Sequence, residues 1–196
     1  MVALTKKERE TLLILFKEYA NYYNANSLSK MLKISHAGAQ KILKRLLQEN
    51  LVISKTIGKS IVYKINFQNN FACQLMTFLL ADEADHFRMW KEEFKELFKK
   101  DRIILFFGSA VKNYDQAKDI DLMLVINKND VKKVNAILKQ RGIILPKKIH
   151  DIKLTSNDLL NNLKKKGKIM IDIISKAIVL DGQEKYVEIL KDVTGF

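Results

Sequence analysis

The sequence has very little cysteine and no long hydrophobic run. Cys73 is the only cysteine in 196 residues, so no disulfide can form within the chain and no cysteine cluster can bind a metal. No apolar run approaches the ~18 residues that a transmembrane helix requires. The first ten residues also lack the basic head and apolar stretch of a secretory signal. We therefore expect a soluble protein of the reducing cytoplasm, with no membrane partner.

Positive charge is concentrated in the N-terminal third. The chain carries 35 Lys and Arg against 22 Asp and Glu, which gives a formal charge of +13. Residues 1–68 hold 12 of the basic residues and 4 of the acidic ones, so +8 of the excess lies there. Such a surplus is typical of a protein with a polyanionic partner, although a lysine-rich surface also serves solubility.

The N-terminal third has the pattern of three helices followed by a β-hairpin. Thr5 and Glu8 form the capping-box start of an amphipathic first helix. The segment SLSKMLKI predicts a short second helix, and a third helix begins near Ser35. Two β-rich runs on either side of Gly58 predict a hairpin. This order of elements is that of a winged helix-turn-helix.

Residues 5–67 resemble the winged-helix DNA-binding domains of prokaryotic transcription regulators, on the pattern SLSKMLKIS, a helix from Ser35, QENLV, a Gly-centred wing and a closing VYKI. The resemblance implies that the third helix enters the major groove of duplex DNA and that the wing touches the backbone. Gln40 would then read adenine edges, while the lysines would meet phosphates. The implied DNA-facing residues are Ser35, His36, Ala37, Gln40, Lys41 and Lys44 in the helix, with Lys55 and Lys59 in the wing. The same fold also serves as a protein-interaction module, and this alternative stays open.

A helical connector is predicted for residues 69–100, which contain no Pro or Gly and carry an apolar stripe. The pattern fits one long helix or two abutting helices. The stripe needs a partner, which is either the flanking domains, 1–68 and 101–196, or a second copy of the chain in a homodimer.

The C-terminal segment, residues 101–196, has the pattern of an α+β domain with a small mixed sheet. IILFF, DIDLMLVIN and KIHDIKLT predict three strands separated by helices. Residues 156–191 predict a further helical stretch that is interrupted near Gly182. We expect the helices to pack on one face of the sheet.

Two carboxylates lie on one face of the second of these strands. Side chains alternate along a strand, so Asp119 and Asp121 point to the same side. Like charges so close repel unless a cation lies between them, and hard divalent ions such as Mg²⁺ bind these pairs and are usually shared with substrate phosphates. Gly108 lets the backbone approach a bulky anion, and Ser109 offers a hydroxyl and amides at a helix start. The combination indicates phosphoryl chemistry.

The stretch LFFGSAVKNYDQAKDIDLMLVI is similar to the Gly-Ser and Asp-x-Asp signature of the DNA polymerase beta-like nucleotidyltransferase superfamily. Residues 100–192 resemble its small prokaryotic members, the minimal nucleotidyltransferases, and a winged helix fused ahead of such a domain is similar to archaeal proteins. The resemblance implies that Asp119 and Asp121 hold one or two Mg²⁺ and that Gly108 and Ser109 bind a triphosphate. The implied reaction transfers a nucleoside monophosphate from an NTP, with ATP expected, to the hydroxyl of an unidentified acceptor, a protein among the candidates.

The chain departs from this family pattern at two places. Lys112-Asn113-Tyr114 stands where the family often has Arg-Gly-Glu, and Lys118 stands where it often has Ser. Lys112 still neutralises phosphate as a point charge, but the loss of Gly at 113 could reshape the turn and Lys118 could compete with metal for Asp119. Two alternatives to catalysis stay open. One is a DNA-binding regulator whose second domain only senses nucleotide, and the other is an antitoxin-like protein.

The superfamily usually supplies a third carboxylate from a neighbouring strand, and two residues compete for that role. In KIHDIKLT, Ile152 and Leu154 share a face with His150, so Asp151 projects to the open face. Asp172 lies in an apolar segment that has the pattern of a mostly buried helix. We therefore predict Asp151 as the third metal ligand and expect His150 to point into the packed side, with no metal role.

Overall fold

A computed structural model describes residues 3–194 of the chain. The chain divides into two compact units, one reaching to Leu79 and the other spanning residues 80–193. Both units combine helices with a small β-sheet, so the predicted α+β class is confirmed. Within residues 3–194, every helix is too short or too polar to cross a membrane.

The N-terminal unit begins with three helices whose starts are set by side-chain caps. The Thr5 hydroxyl and the Glu8 carboxylate form the predicted capping box of the first helix. The third helix is capped by Ser35, whose Oγ accepts a hydrogen bond from the Gly38 N–H at 3.1 Å. Apolar faces of the three helices meet in a core that includes the fully buried Leu28 and Leu46. The helices are α1 (Lys6–Lys17), α2 (Ala25–Leu32) and α3 (His36–Gln48).

A two-stranded antiparallel hairpin completes this unit, as the sequence predicts. Its strands are β1 (Val52–Ile57) and β2 (Ser60–Ile65). The turn has two residues, and Gly58 has φ +59°, which few other residues adopt. On β2 the buried Lys64 donates a hydrogen bond to the Tyr19 carbonyl at 2.7 Å, so the hairpin is tied to the chain that follows α1.

The predicted connector forms two helices. The alternative of two abutting helices is therefore confirmed, and the alternative of a single long helix is wrong. They are α4 (Asn70–Asp85) and α5 (Arg88–Phe94), and a short 3₁₀ turn at Lys95–Leu97 follows. Trp90 and Phe94 are buried among residues of the C-terminal sheet. Residues 80–97 therefore belong to the C-terminal unit.

The C-terminal unit is built on a four-stranded mixed sheet of order β5-β4-β3-β6. The pair β4/β5 is parallel and the other pairs are antiparallel. The sequence predicts a helical stretch at residues 178–181, and this prediction is wrong because these residues form the strand β6. A run of only four residues carries too little periodicity to separate a strand from a helix. The strands are β3 (Ile103–Phe107), β4 (Asp119–Val125), β5 (Lys148–Leu154) and β6 (Ile178–Asp181).

Helices cover both faces of this sheet, whereas the sequence predicts one covered face. Phe106 and Leu122 on one face share a core with α5 and α7. Leu105 and Met123 point to the opposite face and are also fully buried. That second face is covered by α8 and α10, which contact β5 and β3. The helices of this unit after α5 are α6 (Ser109–Lys112), α7 (Val131–Ile144), α8 (Ser156–Lys165), α9 (Lys168–Lys176) and α10 (Gln183–Lys191).

A buried guanidinium joins the start of the sheet to the start of α7. Arg102 is 2% exposed, and its Nη1 donates to the Leu97 carbonyl at 2.9 Å. Its Nη2 lies 3.1 Å from Asp130 Oδ2. The hydrogen bond from Arg102 holds the pKa of the Asp130 carboxyl below its ordinary value. Asp130 is therefore the counter-ion of a charge that is removed from water.

We predict that Asp130→Asn lowers the melting temperature at neutral pH, because it leaves the buried Arg102 without its counter-ion. The folded pKa of Asp130 is depressed, so its contribution is present above the ordinary pKa of 3.8 and is lost as the pH falls through the folded value. Calorimetric melts at pH 7 and near pH 3 should show a difference that shrinks at the lower pH. Lys99→Gln, which removes an exposed partner of Asp130 at 3.4 Å, is the control and should change little. Equal melting temperatures of the Asn variant and the wild type at pH 7 would contradict this account.

Candidate functional site

The residues predicted to face DNA lie on the surface of the N-terminal unit. We call this set the recognition surface, and all eight of its members are exposed: Ser35, His36, Ala37, Gln40, Lys41, Lys44, Lys55 and Lys59. His36 and Gln40 of α3 line one groove together with Lys59 of the hairpin. The structure therefore brings the third helix and the wing to one side of this unit.

Arg45 on the same helix has a structural role that the sequence pattern does not reveal. Its Nη1 donates to the buried Glu8 carboxylate at 2.9 Å, and its Nη2 donates to the Ala3 carbonyl at 2.7 Å. The arginine is engaged with the start of α1, so its charge is already balanced within the unit. Lys41 and Lys44 line a surface depression beside this ion pair.

In the C-terminal unit, the Gly-Ser turn lies directly against the carboxylate pair. Asp119 and Asp121 lie at the start of β4, and Phe107 of β3 pairs with Asp121 across the ladder. Gly108 follows with φ +81° and ψ −158°, a conformation that is open essentially to glycine alone. A Cβ at this position would lie 2.9 Å from Asp121 Cγ, so a side chain there would force the carboxylate to move. The backbone conformation requires glycine, and its lack of a side chain leaves room for the Asp121 carboxylate.

The loop between the Gly-Ser turn and β4 is held by a residue that sequence reasoning missed. Lys147 donates hydrogen bonds to the carbonyls of Tyr114 and Ala117, the latter at 2.7 Å. Its Nζ also lies 4.1 Å from the centroid of the Tyr114 ring, which in turn packs edge-on against Trp90 at 5.0 Å. The residue lies just before β5, and its sequence neighbourhood carries no motif that would have marked it.

The non-Gly residue at position 113 does not distort this loop. Asn113 has φ −153° and ψ 102°, an extended conformation that any residue adopts. Its Oδ1 accepts a hydrogen bond from the Asp115 N–H at 3.1 Å, so it forms a local turn. Ser109 and Lys112 are exposed on α6, which contacts β4.

The residue that joins the carboxylate pair is His150 and not Asp151. The parallel register places His150 beside Asp121 and Asp151 beside Leu122, so Asp151 points to the opposite face. His150 Nδ1 lies 3.1 Å from Asp119 Oδ2 and 3.9 Å from Asp121 Oδ1. The Asp151 carboxylate instead pairs with Lys153.

The predicted facing of β5 is therefore wrong, for a physical reason. Ile152, which alternation assigns to the packed face, is 40% exposed, while Ile149 packs against the main core. β5 is an edge strand contacted by α7 and by α8, so apolar residues occur on both of its faces. Alternation alone does not identify the inner face of such a strand.

Asp172, the other candidate for a third carboxylate, lies on a helix as the sequence predicts, but the prediction that this helix is mostly buried is wrong, because within Lys168–Lys176 only Ile174 is buried. Its side chain on α9 is 63% exposed and pairs with Lys176, four residues on. It has the surface role that is expected for a helical residue at this position.

The carboxylates of Asp119 and Asp121 are partly buried and lie close enough to repel each other. Burial raises the pKa of the Asp121 carboxyl above its ordinary value, and the neighbouring Asp119 charge raises it further, while His150 acts in the opposite direction. The side chains of Asp119 and Asp121 are 29% and 23% exposed, so both remain accessible. A bound cation would relieve this repulsion.

These side chains fit a divalent cation. One ligand atom each from Asp119, Asp121 and His150 lies within 4.8 Å of the other two. Carboxylate oxygens suit Mg²⁺ and Mn²⁺, whereas an imidazole nitrogen is a usual ligand of transition metals and a poor one for Mg²⁺. The expected Mg²⁺ therefore fits the aspartates but not the histidine.

Comparison with known proteins identifies the N-terminal unit. Residues 20–66 match the family model of the TBPIP/Hop2 winged helix domain, so this unit is a winged helix. A solved structure of a mutant of ZitR from Lactococcus lactis is similar at 18% identity and a TM-score of 0.38, over 48% of this chain and 63% of that chain; a similarity this low supports no inference about function. No curated protein matches the chain. The resemblance of residues 100–192 to nucleotidyltransferases stays a prediction.

We predict that Asp121→Asn raises the melting temperature of the metal-free protein at pH 7, because it removes one of two repelling, partly buried charges. A rise of about 2–5 °C is expected for a change of roughly half to one kcal/mol in a domain of this size. The measurement is a thermal melt in the presence of a chelator. Asp151→Asn is the matched control on the opposite face and should not raise the melting temperature, because it removes the partner of Lys153. A fall in stability of the Asp121 variant would show that the pair does not repel in the folded state.

Proposed function

We propose that the protein is a DNA-binding regulator that reads duplex DNA with the recognition surface of its winged helix. The observation that carries this proposal is the groove shared by α3 and the hairpin, in which His36 and Gln40 lie with Lys59. An α-helix fits the major groove, and a wing beside it reaches the adjacent backbone. The surface offers both kinds of contact on one side of the unit.

The residue types of this surface suit different kinds of DNA contact. Gln40 can form a bidentate contact with adenine, while Lys41, Lys44 and Lys59 neutralise phosphates without reading sequence. Because Arg45 is engaged with Glu8, the lysines supply the charge that α3 offers to DNA. The +8 charge of residues 1–68 adds long-range attraction to the duplex.

We expect the full-length protein to bind duplex DNA with an affinity that falls steeply with salt. The double variant Lys41→Ala, Lys44→Ala should reduce the slope of log K against log salt by about 1.8, since each lost phosphate contact retains its counterion. Fluorescence anisotropy of a labelled duplex at several salt concentrations measures this slope.

The control for this experiment is Lys132→Ala, Lys133→Ala, which removes the same charge from exposed positions of α7. Its slope should stay close to that of the wild type. If both double variants change the slope equally, binding depends on net charge alone and the recognition surface is not the DNA site. If the wild type does not bind duplex DNA at low salt, the regulator proposal fails.

A second function, in the C-terminal unit, is favoured by the contact between Gly108 and the Asp121 carboxylate. We propose that this unit binds a nucleoside triphosphate together with a divalent ion. Asp119 and Asp121 would hold the ion, while the backbone at Gly108, the Ser109 hydroxyl and Lys112 would receive the phosphate oxygens. When bound, the ion neutralises phosphate charge and polarises the phosphoryl group. Lys147 would hold the loop that carries these groups in place.

Nucleotidyl transfer and nucleotide sensing use the same binding groups and differ only in whether an acceptor is modified. Incubation of the protein with NTPs labelled at the α-phosphate, a divalent ion and cell extract separates them. Label that becomes attached to an acceptor supports transfer of nucleoside monophosphate, the enzyme interpretation. Metal-dependent NTP binding without label transfer supports the sensing alternative for the regulator. Equal NTP binding by the wild type and by Asp119→Asn would overturn the nucleotide site altogether.

A further inference from the structure

His150 stands where the superfamily pattern leads one to expect a carboxylate. The parallel pairing of β4 with β5 fixes its position, because Asp121 and His150 are partners in the ladder and their side chains share a face. Asp151 cannot take the same place without reversing the facing of the whole strand, and its carboxylate already pairs with Lys153. The third group beside the aspartates is therefore an imidazole.

The distances within this group suit a shared ion. Two ligands bound at right angles, each about 2.1 Å from one small ion, lie about 3.0 Å apart. His150 Nδ1 and Asp119 Oδ2 are 3.1 Å apart, which is close to this value. Asp121 Oδ1 lies 3.9 Å from the same nitrogen, and the His150 side chain is 60% exposed, so a side-chain rotation can close the remaining gap.

The donor set changes which ion is favoured. Replacing a carboxylate by a neutral imidazole removes one negative charge and introduces a nitrogen ligand. Both changes weaken the binding of Mg²⁺, because this ion prefers oxygen ligands and is held largely by their negative charge. Manganese accepts oxygen and nitrogen together and stays compatible with phosphate oxygens.

We infer that Asp119, Asp121 and His150 form a two-carboxylate, one-imidazole site that prefers Mn²⁺ to Mg²⁺. This inference rests on the proposed metal and nucleotide function of the C-terminal unit. His150 has a competing role, in which its protonated ring serves as the cation for the aspartates and no metal is needed. The two roles differ in one observable, since only a metal ligand places a nitrogen in the coordination shell of the ion.

The test uses the full-length protein and Mn²⁺ without nucleotide. The loss of the free Mn²⁺ signal in electron paramagnetic resonance gives the affinity, and displacement by Mg²⁺ gives the Mn²⁺ to Mg²⁺ ratio. Electron spin echo modulation then reports whether a ¹⁴N nucleus is bound to the manganese. The variants are His150→Ala, Asp121→Asn and Asp151→Asn. The last is the matched control, one residue away on the opposite face of the same strand.

The expected results are a ¹⁴N modulation in the wild type and in Asp151→Asn, and its loss in His150→Ala. His150→Ala should weaken the binding of Mn²⁺ by about tenfold or more and the binding of Mg²⁺ by much less. The ratio of the Mn²⁺ affinity to the Mg²⁺ affinity should therefore fall. If His150→Ala weakens the binding of both ions equally, or if the ¹⁴N modulation is absent from the wild type, His150 is not a ligand. In that case a loss of Mn²⁺ binding in Asp121→Asn would leave the proposed function intact. If the wild type and all variants bind Mn²⁺ equally, the metal site and the inference fail together.

Discussion

The placement of Asp119 and Asp121 between Gly108 and His150 is the constraint on which the candidate site of the C-terminal unit depends. Alternation along β4 puts both carboxylates on one face, and Gly108 of the Gly-Ser turn lies directly against the Asp121 carboxylate. Burial then raises the pKa of Asp121 instead of allowing water to screen the pair. A divalent ion bound at this position, as proposed, would offset the repulsion between the two carboxylates.

The candidate sites of the two units carry charges of opposite sign. The winged helix presents Lys41, Lys44 and Lys59 on its surface, while Arg45 of the same unit is paired with Glu8. The other unit presents the partly buried carboxylates of Asp119 and Asp121, with the His150 ring beside them. Under the proposed function, one chain would combine a surface for nucleic acid with a site for a metal ion, as in a regulator that responds to a small anionic ligand. α4, which runs from one unit into the next, is the covalent link that the combination requires.

Features that depend on neighbouring residues could be predicted from the sequence. The Thr5 capping box, the Ser35 cap and the Gly58 turn each follow from a local hydrogen bond or backbone preference. The shared face of Asp119 and Asp121 follows from strand alternation. The exposure of Asp172 on its helix could be predicted in the same way.

Features that depend on tertiary contacts could not be predicted. The facing of β5 depends on helices that cover both sides of an edge strand, so the pattern of Ile152 and Leu154 indicates the wrong side. The strand β6 is stabilised by pairing with β3, a partner more than 70 residues away in the sequence. Lys147 holds its loop through backbone carbonyls, which no side-chain motif encodes.

The most direct test of the central claim is anomalous X-ray diffraction from crystals soaked in Mn²⁺, recorded on both sides of the manganese absorption edge. The account predicts one strong anomalous peak within coordination distance of Asp119, Asp121 and His150, with Asp151 remote from it. A peak beside Asp151, or the absence of a peak near the Asp119 and Asp121 pair, would contradict it.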